Sequence, residues 1–413
     1  MATRLTQKSG LRFGSDQNLT SAMTIISAVE ARKPTSRDRH LILQPPIVRM
    51  ESDNEYQRCA CCGKEASLTC TGCNQAPDGH GEKVAVTKYC ESACQQAHWG
   101  DHKKYCVAAR HRRSLHRSAY TLQQLYYTFK RITHVWPISK VEKDGIKWIA
   151  HLKLVDRNFL MPIPTDLFPT ERDQQTAMCF NQCSKSVAQM GATLKSMLKG
   201  WCFRRAGVQD WVKAVNSTKI LIKNAGTYSS INEVTFAVNM ESARIHIVEV
   251  WNPKTNVEKV LGDLSLGNLD AGEARAHTAF RVTLKNGEQY AIDLTGAQFG
   301  NYETIVPWEL YAGSRVRRIL QKGPLGSNKM RLEHRNNSQP QGWTFTERVM
   351  KAFQAQFETA VARWQSENLR LHVVMGLPAE SYMSKRRALV EQVEEALQKC
   401  RDAGNQSSWR EYF

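Results

Sequence analysis

No stretch of this 413-residue chain reaches the roughly 18 apolar residues in a row that a membrane-spanning helix needs. The N-terminus has no continuous apolar block followed by a small-residue cleavage site, so a secretory signal is not expected. A chain without export has little use for a disulfide framework, which turns its twelve cysteines toward other chemistry. No internal repeat is present, and no recognised nucleic-acid-binding motif accompanies the net charge of +18. The expectation is an intracellular protein, of the nucleus, the cytoplasm or both, with neither a membrane nor nucleic acid as partner.

With 41% hydrophobic and 23% charged residues, the composition is that of an ordinary globular protein. The length suits two or three domains. Residues 1–50 hold eight Lys/Arg against Asp16, Glu30 and Asp38. Frequent Ser, Thr and Pro with weak periodicity predict a disordered basic tail over residues 1–55, apolar enough for a short helix only at residues 23–29. A denser cluster comprises Lys103, Lys104, Arg110, His111, Arg112, Arg113, His116 and Arg117. It reads as a solvated helix face, with a nuclear-import patch as the alternative.

Leu115, Ala119, Leu122, Leu125, Tyr126, Phe129 and Ile132 recur at three- and four-residue steps, one apolar stripe on a long helix. Residues 146–155 alternate as a strand, and prolines 162, 164 and 169 mark a loop. Val187, Met190, Leu194, Met197 and Leu198 predict a second amphipathic helix starting near Cys183. The period then changes to two over residues 234–238 and 243–251. Residues 280–284 and 290–294 flank Asn286-Gly287, a strong hairpin pattern. Thr344 and Glu347 suit a capping box ahead of a helix lined by Val349, Phe353, Phe357, Val361 and Trp364. A last helix is lined by Leu389, Val393, Ala396, Leu397 and Cys400. Helices, then strands, then helices predict an α+β fold, a larger mixed helix and antiparallel-sheet domain.

Eight of the twelve cysteines fall between Cys59 and Cys106, which points to metal in a reducing compartment. The pattern is Cys59-x2-Cys62, seven residues, Cys70-x2-Cys73, sixteen residues, Cys90-x3-Cys94, seven residues, His102-x3-Cys106. A C-x2-C turn aims two thiolates at one point. Residues four apart on a helix share a face, so Cys90 with Cys94, and His102 with Cys106, each supply another half-site. Four halves make two closed zinc sites, one of four sulfurs and one of three sulfurs and an imidazole nitrogen. Closed four-ligand sites are structural.

The finer pattern is similar to the MYND finger family: Cys59, Cys62-Gly63-Lys64, Cys70-x2-Cys73, Tyr89-Cys90, Cys94-Gln95, His98-Trp99, His102 and Cys106. The resemblance implies alternate pairing, with Cys59, Cys62, Cys90 and Cys94 on one zinc and Cys70, Cys73, His102 and Cys106 on the other. Interlocked sites staple a segment too small to bury a core, each ion supplying on the order of 10 kcal/mol of folding energy. The long loop from Asn74 to Lys88 resembles that of MYND proteins from filamentous fungi. Cys61 reads as a spare thiol, and His98 lies outside the eight ligand positions. Family members mostly bind short proline-containing peptides, which makes Trp99, Gln95 and Gln96 the candidate surface, although Trp99 also suits packing within the finger. Some relatives carry a SET methyltransferase domain, but no Asn-His-Ser-Cys stretch occurs in this chain, so methyl transfer is not expected.

A second constellation follows residue 170. Cys183 stands at a helix N-terminus, where the dipole favours thiolate. His277 and Asp293 sit on partner strands of the expected hairpin, where the carboxylate could orient the imidazole and the imidazole activate a thiol. The order Cys, His, Asp resembles the papain-like and transglutaminase-like fold over residues 170–310. Asp293-Leu-Thr is similar to the Asp-Pro-Thr of that group without its proline. Cys179 and Cys202 are rival nucleophiles. Buried cysteine is common in cores, and an Asp at a strand end often caps a turn.

These readings predict a disordered basic tail at residues 1–55, a MYND finger at 56–108, an α+β domain at 109–340, and C-terminal helices packed on it at 341–413. The function expected is that of an adaptor rather than an enzyme, with two zinc ions and a protein partner, held as a proline-containing peptide. The alternative is a thiol hydrolase or transglutaminase-like enzyme, active or silent, using Cys183, His277 and Asp293.

Overall fold

The computed structural model describes residues 58–74, 76–77, 86–134, 138–152, 163–199, 227–250, 258–259, 275–338 and 345–406. The basic tail, the helix expected at residues 23–29, Thr344 of the capping box and Cys202 lie outside the described residues.

In chain order the elements are β1 (Leu68–Thr69), β2 (Lys88–Tyr89), α1 (Ser92–Ala97), α2 (Trp99–Ile132), β3 (Ile138–Asp144), β4 (Lys147–Leu152), α3 (Glu171–Cys179) and α4 (Cys183–Leu198). Then follow β5 (Tyr228–Val238), β6 (His246–Val250), β7 (Glu258–Lys259), β8 (Ala276–Leu284), β9 (Gln289–Ile292), β10 (Ile305–Pro307), α5 (Trp308–Arg315) and β11 (Val316–Pro324). The C-terminal part is helical: α6 (Ser327–Asn337), α7 (Phe345–Glu367), α8 (Leu371–Val374) and α9 (Ala379–Gln406).

The 34-residue α2 starts inside the finger and runs on into the core of the rest of the protein. Its stripe of Leu115, Ala119, Leu122, Leu125, Tyr126, Phe129 and Ile132 is buried. It packs against α4 and α9. Burying each large apolar side chain of this kind contributes about 1.5–3 kcal/mol. The same core takes Val187, Met190 and Leu194 from α4, Phe280 and Val282 from β8, Phe353, Phe357 and Trp364 from α7, and Leu389 and Val393 from α9.

Five strands form an antiparallel sheet in the order β10-β9-β8-β5-β11. The β8–β9 hairpin turns at Asn286-Gly287, where Gly287 adopts φ +91°, a conformation that favours glycine. Alternation sends Phe280 and Val282 to the main core, while Val234, Phe236, Ala279 and Ala291 face a smaller cluster with Phe299, Trp308 and Tyr311. A second sheet runs β3-β4-β6-β7. Its β3–β4 and β6–β7 pairs are antiparallel and its β4–β6 pair is parallel, with Lys147 opposite His246.

The structure corrects the reading of the basic cluster as a solvated face. Arg112 is buried and pairs with Glu288 at 2.8 Å. Arg117 is buried, donates to the carbonyls of Leu377 and Met375, and stacks over Tyr382. Lys103 and Lys104 remain exposed. A helix crossing from a polar finger into a core meets carbonyls and carboxylates as well as water, and arginine reaches them while its stem packs on apolar neighbours. Among the described residues, no helix is long and apolar enough to cross a membrane.

Candidate functional site

The finger is built from two tight turns and two helices. Cys59 and Cys62 flank a turn in which the Gly63 N–H donates to the Cys59 carbonyl and the Cys59 N–H donates to that of Lys64. Gly63 adopts φ +71° there. The strand β2 delivers Cys90, α1 carries Cys94, and α2 carries His102 and Cys106 one turn apart.

The ligand atoms of Cys59, Cys62, Cys90 and Cys94 lie within 4.8 Å of one another, as do those of Cys70, Cys73, His102 and Cys106. In the first group the Cys62–Cys90 and Cys90–Cys94 sulfurs are both 3.5 Å apart. In the second, the Cys70 and Cys106 sulfurs are 3.7 Å apart, and His102 Nε2 lies 3.3 Å from Cys70 and 3.6 Å from Cys73. A tetrahedron of sulfurs at the usual zinc–sulfur distance has edges of about 3.8 Å, and its sulfur-to-nitrogen edges are slightly shorter. The donor sets fit two Zn2+, and the interleaved order fits the cross-brace. When bound, zinc supplies closure of the fold, since each four-ligand set is complete without substrate.

Surrounding residues hold the ligands. Nδ1 of His102 faces Thr87 Oγ1 at 3.5 Å, leaving Nε2 toward the sulfurs. Gly72 is required by space, because a Cβ there would fall 2.3 Å from the Cys106 sulfur. His98 is not among the grouped ligands, and its Nδ1 lies 3.1 Å from the Tyr89 hydroxyl. Cys61 is exposed and belongs to neither group. Trp99 is half-buried against the finger's own core and meets His102 edge-on, while Gln96 is exposed.

The second constellation lies at the start of α4. His277 pairs with Phe236 across the sheet, and Asp293 follows the last residue of β9. His277 Nε2 lies 2.9 Å and 3.0 Å from the two carboxylate oxygens of Asp293. Asp293 also accepts the Tyr311 hydroxyl at 2.8 Å and the Thr295 N–H at 3.0 Å. Imidazole and carboxylate are both buried. Phe236 and Phe299 meet the imidazole ring edge-on. Burial opposes charge on His277, but the Asp293 carboxylate overcomes it and holds the imidazole up at about 10. Burial likewise opposes the Asp293 charge, and His277 holds that carboxyl below its usual range.

Cys183 is half-buried, with its thiol toward the Ala276 carbonyl at 3.8 Å. Burial would raise this thiol, but its hydrogen bond to His277 and the charge on that ring outweigh burial and lower it. Cys179 is a different case: it is buried and directed at the Leu294 carbonyl, and burial together with the Asp293 charge raises it. Behind the helix start, the buried Lys130 donates to Gln182 Oε1 at 3.1 Å, and burial brings that amine down to about 7.

Three residues were not assigned a role from sequence. Gln298 bonds both His277 and the backbone of Asn181, Tyr311 orients Asp293, and Asn181 is the non-glycine residue at φ +52° just before the cysteine helix. Gln298 lies five residues beyond Asp293, and only the 3-10 turn at Gly296–Phe299 folds it back.

Residues 59–106 match the MYND finger family. Protein CBFA2T2 of Xenopus laevis is 29% identical over 83 residues, 20% of this chain and 11% of that protein. The same protein of Mus musculus and of Homo sapiens is 28% identical over 87 residues, 21% of this chain and 12% of each relative. The chain thus spans about a tenth of the length of the curated relatives it matches. No solved structure matches.

Proposed function

We propose that the protein is an adaptor whose zinc finger holds a protein partner through a short, proline-containing segment. In this reading residues 56–108 recruit, and the α+β body of residues 109–340, with the helices of 341–413 packed on it, carries what is recruited to. The supporting observation is that both ligand sets are complete, so the metal has no position left for substrate and serves the fold. MYND fingers are general protein–protein interaction modules, which agrees with that use. The surface proposed for the peptide runs over Gln95, Gln96 and the half-buried Trp99 at the junction of α1 and α2. A panel of proline-containing peptides titrated against the full chain tests this. Binding lost in both Trp99→Ala and Cys90→Ser supports it, and binding retained by Cys90→Ser after loss of its zinc contradicts it.

A second reading is favoured by one observation, the buried His277–Asp293 pair beside a lowered Cys183 thiol. Cys183 would act as nucleophile toward a carbonyl, with His277 taking its proton and Asp293 holding the ring. The tetrahedral oxyanion would form at the N-terminus of α4, whose first N–H groups have no acceptor within the helix. Collapse would expel the leaving group with the proton from His277, leaving a thioester on Cys183. Water or an amine would then release the acyl group and restore the thiol. The test is acylation by an activated ester, read by mass spectrometry of the full chain. Label on Cys183 that disappears in His277→Ala supports the reading, and equal labelling in both proteins contradicts it.

A further inference from the structure

We infer that Gln298 restrains the charging of His277, and so sets the pH at which Cys183 becomes a thiolate. The inference rests on the second reading above. The Gln298 carboxamide is nine-tenths buried and spans two groups: the Asn181 N–H, 3.3 Å from Oε1, and His277 Nδ1, 3.3 Å from Nε2. A backbone N–H can only donate, so Asn181 fixes the oxygen end of the amide. The nitrogen end then donates to Nδ1, which serves an imidazole with its Nδ1 lone pair free. Nε2 is already committed to Asp293.

Taking the proton from Cys183 puts a hydrogen on Nδ1. The amide nitrogen would then face an N–H, donor against donor. Turning the amide over would satisfy Nδ1–H with Oε1 but would place Nε2 against the Asn181 N–H instead. Charging the ring therefore breaks one of the two bonds in either orientation. Asn181, at φ +52°, is held in the short link between α3 and α4, where the Phe180 N–H donates to the Ala177 carbonyl at 3.3 Å and the Gln182 N–H to the Cys179 carbonyl at 3.1 Å. The titratable groups facing the ring are Asp293 and Cys183, with Tyr311 and Arg315 behind Asp293. Asp293 and Cys183 favour the imidazolium, and the bridge from Asn181 through Gln298 opposes it. Gln298 is thus a positioning residue that acts through His277.

The experiment uses the full, zinc-loaded chain. The rate of Cys183 alkylation by iodoacetamide is followed against pH by peptide mass spectrometry in wild type, Gln298→Met and Gln298→Leu. His277 is titrated in parallel by NMR of labelled histidine. Either variant is expected to move the alkylation midpoint down by about one pH unit and the His277 midpoint up by a similar amount, the size of one lost hydrogen bond. A midpoint that stays in place or moves upward in folded Gln298→Met overturns the inference. His277→Ala separates the two ideas. A wild-type profile that depends on His277 but not on Gln298 removes this inference alone, whereas a profile indifferent to His277 removes the thiol centre with it.

Discussion

The Arg113 guanidinium, on the helix that leaves the finger, donates to the Asn74 carbonyl at 2.7 Å. It also reaches the Thr71 carbonyl at 3.2 Å. Both acceptors belong to the turn that carries Cys70 and Cys73, so α2 grips the second metal site with a side chain as well as through His102 and Cys106. Arg113→Ala is expected to leave the main core intact and to cost the finger about 1.5–3 kcal/mol, the value of hydrogen bonds to a charged donor. Zinc release under a competing chelator checks this, and the variant should lose its metal at lower chelator concentration.

Gly72 has no room for a side chain, since a Cβ would meet the Cys106 sulfur at 2.3 Å and the Cys70 sulfur at 3.5 Å. Gly72→Ala should therefore displace a ligand of the second site and spare the first. The expected stoichiometry is about one zinc per chain, measured by dye-coupled metal release. Retention of both ions would show that the turn can shift.

Glu233 is a buried carboxylate on β5 that accepts from Gly326 N–H at 2.7 Å, Asn328 N–H at 2.6 Å and Asn328 Nδ2 at 2.7 Å. It caps α6 from outside that helix, where the first N–H groups lack partners. Glu233→Ala leaves three donors without their acceptor and is expected to cost about 3 kcal/mol or more. Urea unfolding of the two proteins gives the difference.

The His277–Asp293 pair ties stability to pH. A group raised in the fold contributes in full below its unfolded pKa and loses that contribution as pH rises through its folded value. For His277 the contribution is complete below about pH 6.5 and gone above about pH 10. Asp293 is lowered, so its contribution is present above its usual 3.8 and is lost as pH falls through its folded value. Stability from the pair is expected to peak between about pH 4 and 6.5 and to decline toward pH 10. Denaturation of wild type and Asp293→Asn across this range checks it, and the alkaline decline should flatten in the variant.

Local pattern carried much of this structure. Cysteine and histidine spacing marked the eight grouped ligands, the stripe from Leu115 to Ile132 marked α2, and Asn286-Gly287 marked the β8–β9 turn. Elements whose surroundings come from afar were not legible. The strand β11 carries Arg317, Arg318 and Lys322 on an exposed sheet edge, so it lacks a strand's usual apolar alternation. In β3, Lys140, Glu142 and Lys143 leave Ile138 and Val141 as the only apolar marks, and its pairing with β4 depends on the turn at Gly145. The parallel pairing of β4 with β6 joins segments separated by α3, α4 and β5, beyond the reach of any local period. The Cys-His-Asp order was readable, but the grip of Gln298 and Tyr311 on it is a product of tertiary folding.

Metal content of the purified full chain, by inductively coupled plasma mass spectrometry, tests the central claim most directly. Two zinc ions per chain are expected, with loss of structure in residues 59–106 once a strong chelator removes them. A chain that carries no zinc, or a finger that keeps its structure after chelation, would contradict the account.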